Sequence, residues 1–222
     1  MMLSNILFDL DGTLTDPKEG ITRCIQFALG QLGTTSLKAD QLNWCIGPPL
    51  RNSFSRLLDT EDDILLERAI FHYRKRFSET GMFENVIYPG VMSSLKRIKA
   101  AGIRVFLATS KPKVFAQQIL DYFNLTPFFD SVYGSELDGR LSDKGELVAH
   151  ILHAENLDPK MTLIVGDRSH DIIGGKINSI MTAAVSYGYG SREELTSSKP
   201  DFIFDTISDL AAFIELETTP ST

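Results

Sequence analysis

The sequence predicts an α/β protein with a three-layer α/β/α core around a parallel sheet and an inserted domain made only of helices. Two observations lead to this prediction. Short, almost wholly apolar runs, which are typical of strands buried on both faces, alternate with stretches whose apolar residues recur at helical spacing. One long stretch, from about residue 17 to residue 86, has helical patterns and no convincing strand. Repeated alternation of strand and helix is typical of a parallel sheet with helices on both faces.

The core elements follow one another in a regular order. Strands are predicted at five apolar runs: 6–8, 103–108, 161–165, 181–185 and 202–204. Helices are predicted between these strands and after the last one, where apolar residues share one face: 91–101, 114–122, 146–154, 171–177 and 207–216. In the first of these helices Val91, Leu95 and Ile98 show the spacing, and Gly102 then stops the helix.

The inserted domain is predicted to contain three helical patterns, at 20–32, 50–58 and 62–80. Proline and glycine punctuate secondary structure, so Pro17 and Pro89-Gly90 mark the two ends of the insertion. We therefore assign residues 1–16 and 87–222 to the core and residues 17–86 to the helical domain. The small polar tail at 218–222 is expected to be frayed.

The composition excludes several classes of protein. The 222 residues include 22 Lys and Arg against 29 Asp and Glu, which gives a formal charge of −7, and no basic run is longer than Arg74-Lys75-Arg76. Binding to a nucleic-acid polymer needs a clustered surplus of cations, so we do not expect it. No run of about 18 apolar residues predicts a membrane span, and the N-terminus has no secretion signal.

The cysteine content indicates a reducing compartment. Cys24 and Cys45 lack the Cys-x-x-Cys spacing of a metal or redox site. Reduced cysteines that serve in packing fit a cytoplasmic protein. We expect that protein to be a monomer or a homodimer.

Residues able to do chemistry directly follow the predicted strands. Ligands of open parallel sheets bind beyond the carboxyl ends of the strands, so these positions are informative. The residues are Asp9-Leu10-Asp11-Gly12-Thr13 after the first strand, Thr109-Ser110-Lys111-Pro112 after the second, Gly166-Asp167 through Asp171 after the third, and Lys144 ahead of the helix at 146–154. Each alone is weak evidence, since an Asp-x-Asp is more often a turn or a helix cap. Four together indicate a site.

This arrangement resembles the haloacid dehalogenase superfamily, whose four motifs match Asp9-Leu10-Asp11-Gly12-Thr13-Leu14, Thr109, Lys144 and Gly166-Asp167 to Asp171. The resemblance covers nearly the whole chain. It implies a Rossmann-like core, a helical cap formed by the insertion, and a magnesium-dependent phosphatase that acts on a small phosphorylated metabolite. The metal ligands would be the Asp9 side chain, the Asp11 backbone carbonyl and the Asp167 side chain. Asp171 would not bind the metal directly. It would either support these ligands by contacting them or bind the metal through a water molecule.

The chemistry of the same residues agrees with phosphoryl transfer. Asp9 is the candidate nucleophile, because a carboxylate can form an acyl-phosphate and divide one difficult step into two. Asp11 would protonate the leaving alkoxide and then deprotonate the attacking water. With Asp167 and Asp171 these carboxylates would repel a phosphate dianion, so we expect a hard divalent cation, Mg²⁺, among them.

Phosphate binding is expected from a second group of residues. Lys144 can pair with Asp9 and with a phosphoryl oxygen, while the Thr109 hydroxyl and the Ser110 amide can donate to other oxygens. Gly12 lets the backbone turn away from the strand and approach the ligand closely. The roles of three more residues stay open, because an exposed loop or a helix start explains them equally well: Lys111, Arg168 and His170.

The insertion is expected to select the substrate by covering the site and excluding water. In the segment 44–52, Gly47-Pro48-Pro49 forces a bend, after which Arg51 or Asn52 could reach the leaving group and Trp44 or Phe54 could line the pocket. The alternative is a helix–helix turn with Trp44 packed inside the insertion. This segment, residues 134–139 and the fourth motif are similar to the branch of 5′-nucleotidases and phosphoglycolate phosphatases.

Two other functions stay open at this point. A sugar phosphomutase of the same superfamily would use the same core and return the phosphoryl group to a sugar. A non-catalytic regulator would hold metal and phosphate without turnover. A transport ATPase is excluded by the lack of membrane spans, and the dehalogenase reaction is disfavoured because it does not require Asp11.

Overall fold

A six-stranded parallel sheet forms the centre of the computed structural model, which describes residues 3–35 and 37–218. The strands are β1 (Asn5–Phe8), β2 (Thr15–Asp16), β3 (Val86–Ile87), β4 (Arg104–Pro112), β5 (Ser131–Ser135), β6 (Thr162–Gly166), β7 (Met181–Val185) and β8 (Phe202–Phe204). The main sheet has the order β5-β4-β1-β6-β7-β8, and its neighbouring strands all pair in parallel. The tail expected to fray lies, from residue 219 onward, outside the described residues.

Helices surround this sheet. They are α1 (Lys18–Gln31), α2 (Leu50–Leu58), α3 (Asp63–Arg76), α4 (Val91–Ala100), α5 (Lys113–Tyr122), α6 (Lys144–Ala154), α7 (Ser169–Ile177), α8 (Arg192–Ser198) and α9 (Ile207–Thr218). All five predicted strands are present and alternate with helices, so the predicted α/β class is confirmed. The edge strand β5 is not among the predicted strands, because its five residues include only one large apolar side chain that is buried, Val132.

The stretch between β2 and β3 is helical, and we call it the helical insertion. It contains α1, α2 and α3, and a 3₁₀-helix at Ala39–Cys45 that the periodicity did not predict. Asp62 begins α3 by accepting hydrogen bonds from the amides of Ile64 (2.8 Å) and Leu65 (3.4 Å). The helix predicted to reach residue 80 ends at Arg76 and continues as one π-helical turn at Phe77–Gly81.

Two short strands join the helical insertion to the core. β2 and β3 pair in antiparallel fashion, with Thr15 opposite Ile87 and Asp16 opposite Val86. Val86 is therefore a strand residue inside the stretch in which no strand was expected. A two-residue ladder leaves no periodic pattern in the sequence, so only the tertiary structure reveals it.

The sheet is buried on both faces, which explains the apolar runs. Ile6 and Phe8 of β1 pack on one face, in a cluster that extends into the helical insertion. Leu7 packs on the other face together with Val148 and Ile151 of α6. Both cysteines are buried and unpaired. Among the described helices, none has the length and apolar content needed to cross a membrane.

Candidate active site

The carboxyl ends of β1, β4 and β6 place the predicted catalytic and metal-binding residues together at the C-terminal end of the sheet. Phe8, the last residue of β1, pairs with Leu107 on one side and Val165 on the other. Asp9 therefore emerges between the ends of β4 and β6, and its amide donates to the Val165 carbonyl at 2.9 Å. It is 3% exposed, so its carboxylate lies in a nearly dry environment.

Lys144 contacts three groups at this end of the sheet. It is the first residue of α6, whose N-terminus is capped by Asp143. Its ammonium lies 2.9 Å from Asp9 Oδ1 and 2.8 Å from Asp171 Oδ1, and it donates to the Ala108 carbonyl at 2.7 Å. Burial opposes the charge on Lys144, but the two carboxylates outweigh it and raise the pKa of the ammonium. Lys144 therefore stays protonated.

Asp9, Asp167 and Asp171 form a buried cluster that could hold a metal ion. Each offers a carboxylate oxygen, and these oxygens lie within 4.8 Å of one another. Burial raises the pKa of Asp9 to about 6, although Lys144 acts in the opposite direction, and burial together with Asp9 and Asp171 raises the pKa of Asp167 well above its usual range. For Asp171, Lys144 outweighs burial and lowers the pKa.

The cluster fits a divalent cation on charge and on donor chemistry. If all three carboxylates are ionised, the single ammonium leaves two negative charges in excess at a buried point. Within the described part of the chain, Asp167 Oδ1 is buried without a hydrogen-bond partner. Buried polar atoms are almost always paired, so an orphaned carboxylate oxygen in an all-oxygen cluster is the donor that Mg²⁺ requires.

Glycines allow the backbone to surround Asp167. Gly12 has φ +86°, and a Cβ there would lie 2.1 Å from Asp167 Oδ2. Gly188, in the loop between β7 and α8, is equally close on another side, since its Cβ would lie 2.3 Å from the Cβ of Asp167. The Tyr189 amide donates to Asp167 Oδ2 at 2.7 Å. Asp167 is thus held by backbone groups on several sides.

Asp11 lies beside Lys111, whose role the sequence left open. The Lys111 ammonium is 2.7 Å from Asp11 Oδ2 and 4.5 Å from the centre of the Phe77 ring, which belongs to the helical insertion. The other oxygen, Asp11 Oδ1, is buried and unpartnered among the described groups. Lys111 therefore connects the second aspartate of the first motif to the insertion.

Thr109 and Ser110 lie in β4, the same strand as Lys111, which pairs with β1 just before Asp9. Thr109 is buried, and its hydroxyl accepts a hydrogen bond from the Lys111 amide at 3.3 Å. The Ser110 hydroxyl donates to the Ser142 carbonyl at 3.0 Å, in the segment that leads to Lys144. The pairing of β4 with β5 shifts register between Thr109 and Pro112, so the backbone bulges at the site.

A cavity of about 510 Å³ lies between the helical insertion and the core. Asp11, Ser110 and Lys111 line its core side, and Arg51 and Asn52 line its insertion side. Other insertion residues also face it, of which Tyr73, Arg74 and Phe77 lie along one side of α3 and its π-helical turn. The cavity can accept the part of a ligand that extends away from Asp9.

The candidate residues of the insertion have different surroundings. Arg51 lines the cavity while it forms ion pairs with Asp63 and with Glu67, the latter at 2.9 Å. Trp44 does not line the described cavity. Its ring packs on the apolar core and carries the Arg56 guanidinium at 4.3 Å, and Phe54 is fully buried. The packed alternative for Trp44 thus describes its position.

Two residues whose roles the sequence left open, Arg168 and His170, and a further arginine lie next to the site. Arg168 donates through Nη1 to the Ile46 carbonyl of the insertion and through Nε to Glu194 at 3.0 Å. Arg74 forms a second bridge, from Nη2 to the Leu137 carbonyl of the core at 2.9 Å. Burial lowers the pKa of His170, whose Nε2 lies 3.9 Å from Asp171 Oδ2.

The segment 186–190, which supplies Gly188 and the Tyr189 amide next to Asp167, is not among the residues predicted from the sequence. A signal for it was present, because Ser186-Tyr187-Gly188-Tyr189-Gly190 directly follows the predicted strand 181–185. The strand-end rule that identified Asp9 and Asp167 applies to this segment as well. Arg74 left no such signal, since its position depends on how α3 packs.

Comparison with known proteins agrees with the geometry. A model of the haloacid dehalogenase-like hydrolase family matches residues 6–185. The chain is 43% identical over 208 residues to a 5′-nucleotidase from Pseudomonas aeruginosa, covering 94% of this chain and 92% of that protein. It is 29% identical over 218 residues to a phosphoglycolate phosphatase from Psychrobacter arcticus, covering 94% of each.

A solved structure extends the comparison to the fold. The crystal structure of a predicted phosphatase from Clostridium acetobutylicum matches with a TM-score of 0.93 and 38% identity, over 98% of this chain and 100% of that chain. The resemblance drawn from the four motifs is confirmed. The chain therefore belongs to the haloacid dehalogenase-like hydrolases and is a phosphatase of that family.

Proposed function

We propose that this enzyme hydrolyses a small phosphate monoester with Mg²⁺, through an aspartyl-phosphate on Asp9. One observation carries the proposal: the Asp9 carboxylate lies at the sheet edge between a lysine ammonium and two further carboxylates, with Asp11 two residues away. An in-line displacement needs a nucleophile, charge neutralisation and a proton donor, and these groups supply all three.

The metal site would use Asp9 and Asp167 side chains and the Asp11 backbone carbonyl. Bound there, Mg²⁺ would neutralise the excess negative charge and polarise a phosphoryl oxygen. Asp171 pairs with Lys144 and accepts a hydrogen bond from the Arg168 amide at 3.2 Å. These contacts suit a residue that supports the metal ligands or binds the metal through water.

Transfer would begin when an Asp9 oxygen attacks phosphorus and the ester bond breaks. Lys144 holds Asp9 in place and offers charge to a phosphoryl oxygen, and the Thr109 hydroxyl, the Ser110 amide and the Gly12 backbone would bind the phosphoryl group. Asp11 would give its proton to the leaving alkoxide. It would then remove a proton from the water that cleaves the acyl-phosphate.

The helical insertion, residues 17–86, would act as a cap over the core formed by residues 1–16 and 87–222. The bridges from Arg168 to Ile46 and from Arg74 to Leu137 hold it against the core, which would exclude water during transfer. The leaving group would occupy the cavity near Arg51 and Asn52. Phosphoglycolate and nucleoside monophosphates are the candidate substrates, since the relatives are named for these activities.

The test is to trap the covalent intermediate. Asp9→Asn keeps the shape of the side chain and removes the nucleophile, so kcat should fall at least about 10³-fold. Rapid quenching with a radiolabelled monoester should leave hydroxylamine-sensitive label on the wild type and none on Asp9→Asn. Asp59→Asn, at the exposed C-terminus of α2, is the matched control and should behave as wild type.

Three further measurements separate the alternatives. Removing the metal with EDTA should abolish turnover, and added Mg²⁺ should restore it. Free phosphate as the product supports hydrolysis, whereas a rearranged sugar phosphate would indicate a phosphomutase. Tight phosphate binding without turnover of any monoester in a broad screen would indicate a regulator and contradict the proposal.

A further inference from the structure

The loop between β7 and α8, residues 186–190, contacts the metal cluster and the strand pair that joins the insertion to the core. Tyr189 does both at once. Its amide donates to Asp167 Oδ2 at 2.7 Å, and its hydroxyl donates to Asp16 Oδ1 in β2. The hydrogen bond from the amide occupies one oxygen of Asp167, and the other, Oδ1, is buried without a partner among the described residues.

Tyr187 gives the same loop two further contacts. Its hydroxyl donates to the Thr13 carbonyl at 2.8 Å, and its ring meets the Tyr88 ring edge to face at 4.9 Å. Thr13 lies two residues before β2 and Tyr88 follows β3, so the loop contacts both chain segments that enter the insertion. The loop therefore joins Asp167 to both of these segments.

Close packing leaves the loop at 186–190 no room to deform when a neighbouring segment moves. A Cβ on Gly188 would lie 2.3 Å from the Cβ of Asp167 and 2.5 Å from the Gly12 carbonyl, and a Cβ on Gly190 would lie 2.1 Å from the Asp167 carbonyl. Interiors packed this tightly transmit strain instead of dissipating it. A shift of β2 relative to the core would therefore reach Asp167 through Tyr189.

We propose that Tyr189 is a positioning residue that couples the β2–β3 strand pair to Asp167, so that divalent-metal affinity depends on the Tyr189–Asp16 contact. The inference rests on the proposed function, which makes Asp167 a metal ligand. Coupling is reciprocal, so metal binding also favours the arrangement of β2 and β3 seen here. Groups that orient metal ligands typically change metal affinity by 10- to 100-fold when they are removed.

The test measures Mn²⁺ binding to the substrate-free protein by calorimetry, with Mn²⁺ as the probe for the divalent site. Tyr189→Phe keeps the ring and the amide but loses the hydroxyl, and should weaken Mn²⁺ binding about tenfold. Asp16→Ala, which removes the oxygen that accepts from the Tyr189 hydroxyl, should have a similar effect. The double variant should bind as weakly as either single variant and no weaker, because both changes break the same contact. Tyr122→Phe, on the exposed face of α5, should leave the affinity unchanged.

The outcomes separate this inference from the proposed function. Unchanged Mn²⁺ affinity in Tyr189→Phe, or additive losses in the double variant, overturns the coupling. Asp167→Asn tests the metal site itself and should abolish Mn²⁺ binding. If Asp167→Asn still binds Mn²⁺, or the wild type binds none, the proposed metal site is wrong and the inference falls with it. If one single variant fails to fold, the other still reports the contact.

Discussion

Gly188 offers the sharpest test of how tightly the site is packed. Replacing it by alanine would place a methyl carbon 2.3 Å from the Cβ of Asp167, 2.4 Å from its Oδ2 and 2.5 Å from the Gly12 carbonyl oxygen. Real Cβ contacts essentially never fall below 3.0 Å, so the neighbours must retreat by about 0.7 Å, from 2.3 to 3.0 Å. None of these neighbours is the end of a long flexible side chain that could swing away.

The expected loss follows from this displacement. A misplacement of about 1 Å in a catalytic group can reduce the rate about 10²-fold, so Gly188→Ala should lower kcat/KM by about 30- to 100-fold. A 100-fold loss corresponds to about 2.7 kcal/mol of transition-state stabilisation. Overpacking of a rigid interior also lowers the free energy of unfolding, here by about 1–3 kcal/mol.

The assay is steady-state kinetics on a phosphate monoester with saturating Mg²⁺, together with urea unfolding. Gly30→Ala is the matched control, because Gly30 lies in α1 and a Cβ added there would have no heavy atom within 4 Å. It should leave kcat/KM unchanged and alter the free energy of unfolding by about 1 kcal/mol or less, in the stabilising direction. A Gly188→Ala enzyme with kcat/KM within threefold of wild type would refute the packing argument.

Three further predictions concern charged groups. The hydrogen bond from Arg76 lowers the pKa of Glu84, so its stabilisation is complete above the ordinary carboxyl pKa and is lost as the pH falls through the folded pKa. Glu84→Gln should lower the free energy of unfolding at neutral pH by about 1–3 kcal/mol and flatten its acid dependence in urea titrations. Lys144→Met should lower that free energy by about 3–5 kcal/mol in EDTA, and less with Mg²⁺, because buried carboxylates lose their countercharge. Arg74→Gln should raise KM about tenfold with little change in kcat in steady-state assays, since the bridge to the Leu137 carbonyl is lost.

Each of these has an outcome that would contradict it. A Glu84→Gln protein that keeps the full acid dependence would assign that dependence to other carboxylates. Equal losses for Lys144→Met with and without Mg²⁺ would separate the lysine from the metal cluster. Arg68→Gln, on the exposed side of α3, is the control for Arg74→Gln, and an equal rise in KM would show a general effect of charge.

The strand ends show how far local sequence reasoning reaches. Asp9, Thr109 and Asp167 were found because a polar residue follows an apolar run. In the structure Asp9 and Asp167 directly follow their strands, and Thr109 lies in the last part of β4. The same rule would have found Tyr189 had it been applied after β7. Edge strand β5 and the strand pair β2–β3 gave no usable pattern, because a strand with one large buried side chain or two residues has no period to detect.

The insertion shows where such reasoning ends. Its helices were predictable from amphipathic spacing, but the surroundings of Arg51 and Trp44 were not. Arg51 meets two acids of α3, and Trp44 packs against apolar side chains of the core cluster. The neighbours that such a side chain contacts depend on how one helix packs against another. The spacing of residues within one helix carries no information about that packing.

The sequence by itself determined five strands of the main sheet, the helices predicted around them and within the insertion, and the acidic residues at the strand ends, because these depend on neighbours a few positions apart. Only the tertiary structure decided which residues these side chains contact. Lys144 reaches Asp9 across 135 positions of chain, and Tyr189 holds Asp167 across 22. Such contacts depend on the register of parallel strands and on glycines that let backbones approach closely. Those are properties of the assembled sheet and not of any single segment.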